Sequence, residues 1–147
     1  MSDKNHQCDA LVFKCMDWRT ESSGALRQEL RSALGIKDFD TISVAGGAKS
    51  ILDEATRKTM MSYIDLSFRL HHIKRVVLIN HTECGAYGDS GTEEKLVFDL
   101  REAKKTLESH FSGLKIQLVL MRLIDKNQEW HIALEHVLDK DPDAVAV

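Results

Sequence analysis

The chain has 147 residues, 43% hydrophobic and 29% charged, the size and balance of one globular domain spanning residues 1–147. Its 20 Lys and Arg against 23 Asp and Glu leave a net charge of −3, which offers no basic field to a nucleic-acid backbone. No apolar run nears the roughly 20 residues of a bilayer span, and Met1 to Asp9 is polar without a signal-peptide core, so a cytoplasmic protein with neither nucleic-acid nor membrane partners is expected.

The first β-type run, Ala10 to Cys15, is nearly continuous in apolar character, as suits a strand covered on both faces. Leu26, Leu30, Ala33 and Leu34 then recur at helical spacing between Ser22-Ser23-Gly24 and Gly35. A second run, Thr41 to Ala45, stops at Gly46-Gly47. A long helical pattern follows from about Ser50 to His72, opened by a capping-box-like Ser50-x-x-Asp53. The third run, Arg75 to Asn80, is rich in β-branched residues and is the clearest strand.

After the loop His81 to Gly91, Ser90-x-x-Glu93 gives a second capping box, and Leu96, Val97, Leu100, Ala103, Leu107 and Phe111 carry a helix that stops at Gly113. Lys115 to Leu123 reads as a fourth strand. Trp130, Ala133, Leu134, Val137 and Leu138 read as a last helix, with the only proline, Pro142, just beyond it. Alternation of strands and helices predicts a three-layer α/β fold: a mainly parallel four-stranded sheet, order 2-1-3-4, with helices on both faces.

Polar residues interrupt this pattern after the first and third strands, at Cys15-Met16-Asp17-Trp18-Arg19 and at Asn80-His81-Thr82-Glu83-Cys84-Gly85. In open parallel sheets, ligands bind beyond the carboxyl ends of the strands, where the strand order reverses. If strands one and three are neighbours, Cys15, His81 and Cys84 meet there as two thiolates and an imidazole. That donor set suits Zn²⁺, and three protein ligands leave open the fourth position that marks a catalytic ion. Taken singly, each residue has an ordinary reading, a small buried hydrophobe for a cysteine and a satisfied side chain for the histidine; the shared location carries the argument. Cys8, ahead of the first strand, reads as a free thiol. His71-His72 reads as a cap at a helix C-terminus, and His6, His110, His131 and His136 read as solvated.

Cys15-x-Asp17-x-Arg19, Ala45-Gly46-Gly47 and His81-Thr82-x-Cys84-Gly85 resemble, in order and separation, the three motif blocks of the β-class carbonic anhydrase family, over about Leu11 to Gly88. The resemblance implies a zinc enzyme, assembled as dimers or multiples of dimers, that interconverts carbon dioxide and bicarbonate. Asp17 and Arg19 would be its catalytic dyad. Zinc lowers the pKa of bound water from 15.7 toward about 7, but two thiolates cancel its charge, so help from neighbouring groups matters. Asp17 would accept a hydrogen bond from zinc-bound hydroxide, and Arg19 would hold the Asp17 carboxylate in a bidentate fork away from the metal.

Gly46, Gly47 and Gly85 would border the substrate, although the first two also suit a plain strand-to-helix turn. Gly46 to Ser50 is not a P-loop, because Ala48 stands where glycine must precede the lysine. The sequon Asn80-His81-Thr82 falls at a strand end holding a proposed ligand, a poor place for a glycan. The sequence departs from the family in having only about nine residues before the first strand instead of a helical arm, Ser43-Val44 in place of Arg-Asn, and no matching substrate-binding glutamine. Two other readings share the scaffold: a hydrolase of carbonyl sulfide or carbon disulfide, and a zinc-binding regulatory protein in which Asp17 closes the fourth position.

Overall fold

The computed structural model describes residues 6–140; Pro142 lies outside them. In chain order the elements are β1 (Ala10–Lys14), α1 (Leu26–Leu34), β2 (Phe39–Ser43), α2 (Lys49–Leu52), α3 (Glu54–His71), β3 (Arg75–His81), α4 (Glu93–His110), β4 (Lys115–Lys126) and β5 (Glu129–Val137). They build one sheet of order β2-β1-β3-β4-β5. β1 pairs in parallel with β2 and β3, and β3 with β4; β5 alone is antiparallel, along β4. Among the described residues no helix is long and apolar enough to cross a membrane.

Strand alternation divides the apolar residues between two layers. Leu11, Phe13, Val76, Leu78, Ile116 and Leu118 face α2, α3 and α4 through Ile51, Ile64, Leu100 and Leu107. Ala10, Val12, Val77, Ile79, Val119 and Met121 face α1 through Leu26 and Leu30. Each inner strand thus buries both faces, which explains its unbroken apolar sequence.

The expected four-stranded sheet is corrected to a mixed sheet of five, because residues 129–137 form a strand and not a last helix. Trp130, Ile132 and Leu134 also alternate, and they pack on the α1 side of the sheet. Asn127 and Gln128, with φ of 53° and 67°, make a two-residue turn between paired Lys126 and Glu129, the twist that suits an antiparallel hairpin.

Neither predicted capping box forms. Ser50 Oγ donates to the Gly47 carbonyl at 2.7 Å, and Asp53 is an extended junction that breaks the long helical pattern into α2 and α3. Ser90 Oγ is spent on the Tyr87 carbonyl, so Thr92 caps α4, accepting from the Lys95 N–H. α1 does end at Gly35, whose φ of 65° lets its N–H reach the Arg31 carbonyl.

Candidate metal centre

β1 and β3 are neighbours and run the same way, with Phe13 opposite Leu78. Their carboxyl ends therefore open side by side, and Cys15 leaves β1 next to His81, the last residue of β3. Glu83, at φ 57°, turns the chain back after β3 and returns Cys84 to the same point. The turn is tied to β4, where Thr82 N–H donates to the Met121 carbonyl and Thr82 Oγ1 accepts from Leu123 N–H.

The result is a buried cluster in which the donor atoms of Cys15, His81 and Cys84 all lie within 4.8 Å of one another and could hold a metal ion. The two Sγ atoms are 3.8 Å apart, and no disulfide joins them. His81 Nδ1 lies 2.7 Å from the Thr82 carbonyl. A proton on Nδ1 directs the lone pair of Nε2 into the cluster, the usual way a backbone oxygen fixes a ligand imidazole. Nε2 is itself buried without a hydrogen-bond partner. A buried polar atom left unpaired costs about 1–3 kcal/mol, a cost that coordination of a cation by this nitrogen would relieve.

The electrostatics of the protein atoms agree. The Cys15 thiol is pushed down by its hydrogen bond with Cys84, against burial, with further help from His81 and from the backbone N–H groups of Asp17 and Gly46. The Cys84 thiol is pushed up by its hydrogen bond with Cys15, in which either sulfur can donate, and by burial. Burial opposes the charged imidazolium of His81, yet its contacts with Cys15 and the Thr82 carbonyl outweigh that, and its pKa is raised. One proton thus stays between the two sulfurs, and an ion held by both must displace it.

Asp17 and Arg19 flank this cluster. Arg19 grips the carboxylate with Nε at 3.2 Å from each oxygen and Nη2 at 2.7 Å from Oδ2, and its backbone N–H adds 2.9 Å to Oδ1. The guanidinium also donates to the Glu83 carbonyl at 3.0 Å and lies 5.0 Å from the Trp130 ring centroid. It is therefore fixed from three sides. Asp17 Oδ2 stands 3.8 Å from His81 Nε2, but the carboxylate is not one of the three clustered donors.

Cys15, Met16, Asp17, Trp18, Arg19, Ala45, Gly85 and Ala86 line an open cleft of ≈ 630 Å³ over the cluster. Gly85 lies on its wall, whereas Gly46 and Gly47 lie outside that lining. Gly47, at φ 55°, packs so closely that a Cβ there would sit 2.9 Å from both Asn80 Oδ1 and the Ile79 carbonyl. Asn80, for its part, accepts from Ala48 N–H at 3.0 Å and donates to the Leu96 carbonyl at 2.9 Å, while Tyr87 OH donates to Asp99 at 2.7 Å. These three residues brace the loop that carries Cys84, and sequence reasoning missed them. The one signal was an amide side chain closing an apolar strand.

An α/β sheet with two cysteines and a histidine gathered over the carboxyl ends of adjacent parallel strands defines a protein with a metal-competent crevice. A family model described as "Putative carbonic anhydrase" matches residues 5–133, and the chain belongs to that family. It is also 29% identical over 132 residues to an uncharacterized protein of Rickettsia bellii (strain RML369-C), covering 80% of this chain and 79% of that one. An uncharacterized protein of Rickettsia conorii (strain ATCC VR-613 / Malish 7) is 28% identical over 132 residues, 80% of this chain and 69% of the relative.

Proposed function

We propose that this chain is a β-class carbonic anhydrase that binds Zn²⁺ through Cys15, His81 and Cys84 and catalyses the reversible hydration of carbon dioxide. The observation that carries the reading is Asp17, held by Arg19 beside the three donors yet outside their set. A carboxylate pinned in this way leaves a fourth position for water. The alternative in which Asp17 closes that position would have to break the Arg19 fork first.

Zinc fits two thiolates and an imidazole, and when bound it makes water acidic enough to act as a nucleophile near neutral pH. Asp17 would accept a hydrogen bond from the attacking oxygen, which orients a lone pair of that oxygen towards the substrate carbon. Arg19 holds the carboxylate below the usual range, so Asp17 remains ionised and able to accept across neutral pH. Met16, Trp18, Gly85 and Ala86 give the uncharged linear substrate an apolar wall in the cleft. Trp18, Tyr63 and Phe98 are exposed large side chains, and assembly into a homodimer would cover some of them.

The test is stopped-flow carbon dioxide hydration by zinc-loaded protein between about pH 7 and pH 9, with Asp17→Asn alongside. Wild-type protein should be active, and the variant should keep its zinc while losing about 10²–10⁴ in rate. A zinc-replete wild type inactive at every pH would overturn the reading.

A further inference from the structure

A second group of metal-competent side chains lies at the other end of the sheet. The donor atoms of Cys8, Asp40 and His71 lie within 4.8 Å of one another. They come from the segment before β1, from β2 and from the last residue of α3. Backbone bonds fix their approach, Cys8 N–H to the His71 carbonyl at 3.1 Å and Asp9 N–H to the Asp38 carbonyl at 3.1 Å. The parallel register places Asp40 opposite Leu11, so its side chain meets the end of α3. His71 Nδ1 is 2.6 Å from Asp40 Oδ2, and Ser67 Oγ donates to that same oxygen at 2.6 Å.

Two further observations point to a ligand. His6, whose ring centroid is 4.7 Å from that of His71, has a buried Nδ1 without a partner, although it is not one of the three clustered donors. Among the described residues, the only other buried side-chain nitrogen or oxygen in that condition is His81 Nε2, in the first cluster. A groove of ≈ 430 Å³ lined in part by Asp40, Ser67 and His71 gives an ion a way in from solvent.

We infer that Cys8, Asp40 and His71 bind a second thiophilic divalent cation of the Zn²⁺ class, independently of Cys15, His81 and Cys84. One sulfur, one nitrogen and one carboxylate oxygen suit zinc or cobalt. Calcium and magnesium, which demand mostly oxygen donors, do not fit. On binding, the Cys8 thiol loses its proton to solvent, and the ion takes the place of the hydrogen bond between His71 and Asp40. Ser67 then orients the ligating carboxylate, as an outer partner of a metal site does. The ion ties the entry to β1 and the edge strand β2 to the end of α3.

The full chain, loaded with Zn²⁺ and freed of excess, should carry about two ions, and Cys8→Ser should carry about one. In a Cys15→Ser/Cys84→Ser variant loaded with Co²⁺, a thiolate-to-cobalt charge-transfer band should remain, vanish on adding Cys8→Ser and need about tenfold or more cobalt when Asp40→Asn is added. A single zinc in wild-type protein, unchanged by Cys8→Ser, would overturn the inference. So would a cobalt band indifferent to Cys8. The wild-type and Cys8→Ser zinc counts decide the matter even where the double variant does not fold.

Discussion

The two ends of the sheet hold similar donors in opposite states of satisfaction. At the carboxyl end, Cys15, His81 and Cys84 are all buried, and the imidazole nitrogen facing the thiols has no partner. At the amino end, Cys8, Asp40 and His71 are only partly buried, and the carboxylate is already engaged by Ser67 and His71. An ion in the crevice would therefore relieve a buried nitrogen that the protein leaves unpaired, whereas the amino-end carboxylate and imidazole already engage each other. Burial at the crevice would give a stronger hold on a metal ion, and it leaves that end more open to damage by substitution.

The largest effect should follow from Cys84→Ser. Loss of one thiolate removes the ion from the crevice, and hydration activity should fall to background while the amino-end donors remain intact. Metal analysis paired with the rate assay checks this; retention of more than about a tenth of the rate would place the reactive ion elsewhere, because removing a ligand should forfeit most of what the metal contributes.

Gly47→Ala should be the next most severe. It forces a Cβ to within 2.9 Å of Asn80 Oδ1 and the Ile79 carbonyl at φ 55°. A left-handed residue costs roughly 1–2 kcal/mol and overpacking about 1–3 kcal/mol, so urea unfolding should show a loss of about 2–5 kcal/mol. Gly24, at φ 72°, is the control, because a Cβ there would meet nothing within 4 Å; Gly24→Ala should show the backbone cost alone. Equal losses at the two sites would mean that the crevice end is no more tightly packed than a surface turn.

The same contrast explains what could be read from the sequence. The inner strands announced themselves through unbroken apolar runs, and the adjacency expected of strands one and three was enough to group Cys15, His81 and Cys84. Residues 129–137 misled because Trp130, Ala133, Leu134 and Val137 fit a helical stripe as well as Trp130, Ile132 and Leu134 fit a strand; the turn at Asn127-Gln128, without glycine, was too weak a sign to decide between them. The amino-end cluster was illegible for a different reason. Cys8, Asp40 and His71 share no motif, and only the β1–β2 register and the end of α3 bring them together.

At the amino end, Asp40→Ala should cost about 1 kcal/mol in metal-free protein. Its hydrogen bonds to Ser67 and His71 are lost, but the side chains of Asp40 and His71 are 30% and 31% exposed, so water can replace the missing partner. A loss as large as that of Gly47→Ala would show this end to be as tightly determined as the crevice.

The smallest effect, and the one with a sign set by pH, belongs to Asp17. Hydrogen bonds from Arg19 hold its carboxyl below the ordinary value of 3.8, against the opposing effect of burial. Because the folded pKa is depressed, the stability that the pair contributes is complete above 3.8 and is lost as pH falls through the lower folded value. In metal-free protein, Asp17→Asn should therefore be less stable than wild type at neutral pH by up to about 1 kcal/mol, and the gap should close as the pH is lowered toward about 2. Urea unfolding of both proteins across that range measures it. A gap that stays constant with pH would mean that Asp17 acts through its shape and its backbone bond to Arg19, and that the guanidinium fork does not tune its charge.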